Sequence, residues 1–207
     1  FTNSVSNATN GKTLTLTFGG ATNFENIVGA GVPETIQGDA NDNILVGDGD
    51  KSVIGSSPVG SDTIYGYGGN DLLVAGSGNL NDFAKTSRIA SQSTFIAYRN
   101  DSDNTGNDNL YGGAGDDVLI GSVGDNVLDG GPGADTIYSG NGSDTIVIRS
   151  DDGDGDSSIT DADTIADFSD GSDFIGLDSL VFDDITIVQG SGDYSSHTLL
   201  SVKSGGE

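Results

Sequence analysis

From Gly106 to Val147 the chain repeats every nine residues without a slip: GNDNLY, then GGAGDDVLI, GSVGDNVLD, GGPGADTIY and SGNGSDTIV. Three columns hold the frame. Gly106, Gly115, Gly124, Gly133 and Gly142 form the first, and Asp108, Asp117, Asn126, Asp135 and Asp144 the second. Leu110, Leu119, Leu128, Ile137 and Ile146 form the third. Three registers locked to one period exclude a core assembled from irregular elements. They require a solenoid, in which each unit buries its apolar residue only against its neighbours.

Nine residues divide into a six-residue turn, Gly-Gly-x-Gly-x-Asp, and a three-residue strand whose middle residue faces inward. Such a strand cannot fold back alone, so two units pair into one coil with two strands. Coils then stack as parallel strands about 4.8 Å apart. The glycines supply positive φ and close backbone approach. Aspartates recur on one edge at every second unit, which places Asp117 one coil from Asp135. Two carboxylates at that spacing repel by about 3–4 kcal/mol at an effective dielectric of about 20. A cation lodged between adjacent turns reverses the sign.

Composition says which cation. The 207 residues carry 32 Asp and Glu against 7 Lys and Arg, a formal charge of −25, and only 33% are hydrophobic. A chain so acidic and so thinly apolar lies near the disorder boundary unless its charge is neutralised. The same charge disfavours nucleic acid and anionic membrane as partners, and no apolar run reaches the length of a membrane span. Cysteine is absent, so another staple than disulfides is needed. With His197 the only histidine, the usual zinc sites cannot be built. What remains is Asp carboxylate and backbone carbonyl, the hard oxygen ligands of Ca²⁺. Asn126, between Asp108 and Asp144 on the other edge, lowers the charge there and tunes affinity down.

The frame continues upstream more weakly. The apolar column appears at Ile27, Ile36, Leu45 and Ile54, then after a one-residue slip at Ile64 and Leu73. The acidic column over the same turns reads Glu25, Glu34, Asn43, Ser52, Asp62 and Asp71, so the ligands decay toward the N-terminus while the core ladder persists. Residues 25–78 are therefore read as a first roll, calcium-poor and then competent at Asp62 and Asp71. Residues 1–24, with alternating Leu14, Leu16 and Phe18, form an N-terminal cap strand. Residues 79–104 break the repeat and hold Phe83, Phe95 and Tyr98 with Lys85, Arg88 and Arg99, an inserted loop. Residues 105–150 form the regular roll and 151–207 a C-terminal cap. There, Asp163–Phe168, Phe174–Leu177 and Ile185–Val188 read as antiparallel closing strands. The chain starts at Phe1 with no targeting segment and stops at Ser204-Gly-Gly-Glu207, so it reads as a piece of something longer.

The turns GGAGDDVLI and GGPGADTIY resemble the RTX, or haemolysin-type, nonapeptide repeats, which build a parallel β-roll with Ca²⁺ in its turns. The resemblance is good over 106–147, acceptable over 60–76, and confined to the apolar column over 25–56. It implies ligation by the sixth-position Asp together with turn carbonyls near Gly112, Ala114 and Gly115, and near Gly130, Pro132 and Gly133. DTIADFSDGSDFIGLDSLVF is similar to the capping segment that follows such repeats in secreted proteases and polysaccharide-modifying enzymes. The resemblance further implies export through a type I secretion channel.

A second ion site is read at Asp152-Gly-Asp154-Gly-Asp156, with Asp163 beyond, in the DxDxD spacing of an EF-hand loop. Asp101 and Asp103 form a weaker pair. No HExxH, GxSxG or GxxxxGK occurs, so no catalytic site is read, and His197 sits in a polar run. The expected molecule is an all-β parallel β-roll with calcium-binding turns, strand caps at both ends and one inserted loop. It binds several Ca²⁺ ions outside the cell and stabilises or assists secretion of a larger bacterial protein. The alternatives are a calcium-dependent adhesin holding a glycan through 79–104, and an accessory domain of a secreted enzyme.

Overall fold

A computed structural model describes residues 26–29, 31–48, 60–77, 105–149, 162–169, 171–189 and 198–202. Within them, successive short strands fall alternately into two parallel six-stranded sheets. The first contains β1 (Asn26–Val28), β3 (Ile44–Asp48), β5 (Leu72–Ser77), β7 (Val118–Ile120), β9 (Thr136–Tyr138) and β11 (Thr164–Ile165). The second contains β2 (Thr35–Gln37), β4 (Thr63–Gly68), β6 (Asn109–Ala114), β8 (Val127–Asp129), β10 (Thr145–Arg149) and β12 (Phe174–Asp178). This is the parallel β-roll that the nine-residue period demands.

Register follows the apolar column rung by rung. Leu110 lies beside Leu128, Leu128 beside Ile146, and Leu119 beside Ile137. Each side chain of that column points into the space between the sheets. Leu45, Ile64, Leu73, Leu110, Leu119, Leu128, Ile137 and Ile146 are completely buried, with Ile27, Ile165 and Ile175 packed at the ends. A second apolar cluster occupies the other face of the first sheet, where Val46, Leu72, Val74, Ile120 and Tyr138 are buried. The second sheet instead turns outward Tyr65 and Tyr111, stacked at 4.9 Å, and Asp129 beside them. Arg149 brackets three strands of that face. Its guanidinium bonds Asp129 on β8 and reaches Asp178 on β12 at 2.9 Å.

Two expectations need correcting. Ile36 pairs directly with Ile64 and Leu45 with Leu73, so the ladder has no rung between them for Ile54. The extra length is taken up across 49–59, outside the described residues. Nor are the first two of the expected closing strands antiparallel. Ile165 pairs in parallel with Ile137, and Ile175 with Ile146, so β11 and β12 continue the two sheets. The reason is sequence copying: Ala162-Asp-Thr-Ile165 repeats Ala134-Asp-Thr-Ile137. Among the described residues only β13 (Ile185–Gln189) and β14 (Thr198–Val202), after the 3-10 turn Phe182–Asp184, pair antiparallel. The residue 1–24 cap, the 79–104 insertion, Glu25, Ser52, the Asp101/Asp103 pair, His197 and Ser204–Glu207 lie outside the described residues.

Candidate metal centre

The acidic column folds into two buried ladders, one on each edge of the roll. Each sixth-position side chain accepts the backbone N–H of its counterpart one coil earlier. On one edge the bonds run from Asn43 N–H to Asp71, Asp71 to Asp117 (both 2.6 Å), Asp117 to Asp135 (2.7 Å) and Asp135 to Asp163 (2.9 Å). On the other they run from Glu34 to Asp62, Asp62 to Asp108, Asp108 to Asn126, Asn126 to Asp144 and Asp144 to Asp173. Every acceptor in these bonds is an Oδ1 atom, which in each aspartate leaves the second oxygen to be accounted for.

For Asp62, Asp117, Asp135 and Asp144 that second oxygen, Oδ2, is buried and meets no hydrogen-bond donor among the described residues. An ionised carboxylate left so is costly. The glycine five residues earlier explains where the oxygen points. A Cβ placed on Gly112 would strike Asp117 Oδ2 and, at 2.5 Å, Gly130 O. One on Gly130 would strike Asp135 Oδ2, and one on Gly66 would strike Asp71 Oδ2 and Gly112 O. Gly66 and Gly112 are therefore cradles into which a carboxylate oxygen and a carbonyl oxygen of the next coil converge. The second and fourth turn positions serve the backbone instead: Gly113, Gly115, Gly131 and Gly133 all have positive φ. Tyr67 keeps that left-handed conformation, at φ 77°, where Gly113 stands one coil on.

Burial and mutual repulsion weaken these acids accordingly. Desolvation pushes Asp117 up to about 7, Asp135 to about 8, and Asp108 and Asp144 to about 6. Asp62 rises to about 9, first through desolvation and then through the charges of Asp48 and Asp108. Asp48, which no column marks, is wholly buried on β3 and rises to about 8 for similar reasons.

Among the described residues no three His, Cys, Asp or Glu side chains gather to hold one ion. Each cradle receives at most one sixth-position carboxylate, and at Gly66 and Gly112 the oxygen beside it is a backbone carbonyl, a donor set that suits Ca²⁺ and not a softer metal. Toward the N-terminus the geometry persists with poorer ligands: the cradles of Gly29 and Gly38 face Glu34 Oε2 and Asn43 Oδ1. Asp163 belongs to the ladder of Asp71, Asp117 and Asp135; Asp152, Asp154 and Asp156, expected with it, lie outside the described residues.

Sequence reasoning missed Asp173, although Gly171-Ser-Asp173 copies Gly142-Ser-Asp144. It also treated the fifth turn position as variable. That position builds an outer, exposed ladder running the opposite way. Asp116 Oδ1 accepts the N–H of Ala134, Asn70 Oδ1 that of Asp116, Asn107 Oδ1 that of Asp125, and Asp125 Oδ1 that of Ser143. The junctions of Asp71 with Asp117, Asp117 with Asp135, Asp108 with Asn126 and Asn126 with Asp144 are thus each tied by two bonds of opposite sense, whereas Ala134 offers no side-chain acceptor where Asp135 meets Asp163.

Residues 59–79, 102–128 and 111–146 match the family model described as RTX calcium-binding nonapeptide repeat, in four copies. No catalytic family is detected. No curated protein and no solved structure matches the chain. No helix among the described residues is long and apolar enough to cross a membrane.

Proposed function

We propose, from the premise that the chain carries RTX calcium-binding nonapeptide repeats, that it is a module which folds on Ca²⁺ outside the cell and thereby stabilises a larger secreted protein. One observation carries this reading: the buried, donor-less Oδ2 atoms of Asp117 and Asp135, the first turned toward a carbonyl of the next coil across a glycine cradle. Asp117 would hold the ion with carbonyls of Gly112, Ala114 and Gly115, and Asp135 with those of Gly130, Pro132 and Gly133. Asp62, Asp71 and Asp144 would play the same part in their turns. Bound Ca²⁺ supplies the positive charge that these desolvated carboxylates lack.

Mass action then links folding to location. Sites of about 10⁻⁴–10⁻³ M affinity stay empty at cytosolic Ca²⁺ levels and fill at extracellular ones. RTX repeats are typical of secreted bacterial proteins, which supports placing this chain outside the cell. Far-UV circular dichroism during Ca²⁺ titration tests the proposal. A cooperative gain of β-structure is expected; identical folded spectra in chelator and in about 5–10 mM Ca²⁺, at and above the extracellular regime, would refute it.

A further inference from the structure

The two edges of the roll are not alike. At the Asp117 turn, Asp117 Oδ2 and Gly130 O face each other across Gly112 with no hydrogen between them. At the equivalent place on the opposite edge, a Cβ on Gly121 would meet Ser139 O and, at 3.0 Å, the Nδ2 of Asn126. A nitrogen bearing two hydrogens stands where Gly112 and Gly130 face an oxygen that meets no donor among the described residues. It donates to Gly124 O at 2.9 Å, to Asp144 Oδ1 at 3.0 Å and to Ser139 O at 3.4 Å. The amide cannot be turned round, because Asn126 Oδ1 is already spent on the N–H of Asp108 at 3.0 Å. In the same turn, the Ser122 hydroxyl reaches back one coil, to 3.0 Å from Asp108 Oδ2 and 3.3 Å from Gly106 O. Accordingly Asp108 Oδ2 is absent from the buried oxygens that lack a donor. Both residues are completely or almost completely buried.

Carbonyls at the first and fourth turn positions, Ser139 O and Gly124 O, are the same classes of atom that the neighbouring edge would offer to an ion. Here they accept the side-chain amide hydrogens of Asn126, whereas on the Asp117 edge Gly130 O accepts the backbone N–H of Gly113. A Ca²⁺ ion at this place would have to displace three hydrogen bonds and would meet the positive end of the amide dipole.

We propose that Ser122 and Asn126 replace calcium in the central turns of one edge, forming a metal-independent clasp, while the outer turns of that edge and the edge of Asp117 and Asp135 take the ions. The inference rests on the calcium reading above and refines it by saying which turns do not bind.

The test is a gain of function in the full chain. Ser122→Gly with Asn126→Asp rewrites the turn as Gly-Gly-Val-Gly-Asp-Asp, the pattern of Gly112–Asp117. Equilibrium dialysis with Ca²⁺ alone should find at least one more ion bound per chain than in the wild type. An unchanged count in a variant that folds at saturating Ca²⁺ overturns the clasp and leaves the calcium reading standing. A wild-type chain that binds no Ca²⁺ overturns the calcium reading itself. Should the double variant not fold, the wild type decides. The side-chain amide protons of Asn126 should exchange slowly in the calcium-saturated protein, and exchange as fast as in surface asparagines would overturn the proposal.

Discussion

The backbone N–H of Asp117 donates to Oδ1 of Asp135, one coil further along the chain, at 2.7 Å. One carboxylate therefore serves two purposes. Its Oδ1 holds the preceding coil, and its buried Oδ2 is left without a donor in the cradle of Gly130. Asp135→Ala should remove both the tie and a charged ligand, and the loss should spread to the adjacent coils because solenoid stability is a sum of neighbour terms. Calorimetric Ca²⁺ titration should find a larger loss of affinity in Asp135→Ala than in Asn126→Ala. Equal losses would mean that turn carbonyls dominate binding.

Asn126→Ala should instead reduce stability without changing the number of bound ions. It strips a donor from Gly124 O and Ser139 O and an acceptor from the N–H of Asp108. Unsatisfied buried groups of this kind cost about 1–3 kcal/mol. Urea unfolding at saturating Ca²⁺ should show that loss, with stoichiometry unchanged by dialysis; a lost ion would contradict it.

Stability of the metal-free chain should fall as pH rises. Asp108, Asp144, Asp117, Asp135 and Asp62 have folded-state values of about 6, 6, 7, 8 and 9 against 3.8 for the ordinary group, chiefly through desolvation. A raised carboxylate value means that the folded state holds protons more tightly. Its contribution is therefore complete below the ordinary value and is lost as pH passes through the raised ones. In chelator, the chain should therefore hold more β-structure by far-UV circular dichroism at about pH 5 than at about pH 8, values chosen to bracket most of that window. Less β-structure at the lower pH would count against buried, unpaired carboxylates. With calcium present, protons compete for the same oxygens, and affinity should drop toward pH 5.

Glycines at two places should respond differently to alanine. Gly112→Ala drives a Cβ onto Asp117 Oδ2 and Gly130 O, and overpacking of that kind costs about 1–3 kcal/mol. It should also weaken Ca²⁺ binding. Gly171, at φ +87°, has nothing within 4 Å of a built Cβ. Gly171→Ala should cost only the left-handed backbone, about 1–2 kcal/mol, and leave affinity unchanged. Melts paired with calorimetry separate the two. Equal effects on affinity would mean that the first-position glycine is not a cradle.

Much of this architecture was legible in the residues. The Leu110-to-Ile146 column dictated coil length, strand identity and core, because one inward residue per nonapeptide can pack only against its counterparts. The Asp column likewise announced two lines of buried carboxylates. Other features follow from interactions that no period encodes. The direct pairing of Ile36 with Ile64 is decided by packing, and counting in nines placed a rung at Ile54. The outward row Val46, Val74, Ile120 and Tyr138 repeats only at every second unit, and a nine-residue frame averages it with Gln37, Tyr65, Tyr111 and Asp129. Asn126 looked like a weakened ligand because its type suggests an oxygen; its amide hydrogens become visible only once Ser139 O and Gly124 O are placed around them.

The spacing of the rungs has a consequence for what the fold tolerates. Equivalent hydrogen bonds close separations of 18 residues at Asp117 and Asp135, 28 at Asn43 and Asp71, and 46 at Asp71 and Asp117. Loop-closure entropy grows only with the logarithm of length, so the step from 18 to 46 adds about 0.8 kcal/mol. That is less than a single hydrogen-bonded rung is worth. The sheets therefore register which coil comes next and are nearly blind to how much chain lies between, and segments of very different length can be grafted between the Asp48 and Gly60 ends or the Ser77 and Thr105 ends while the ladder on either side keeps its place.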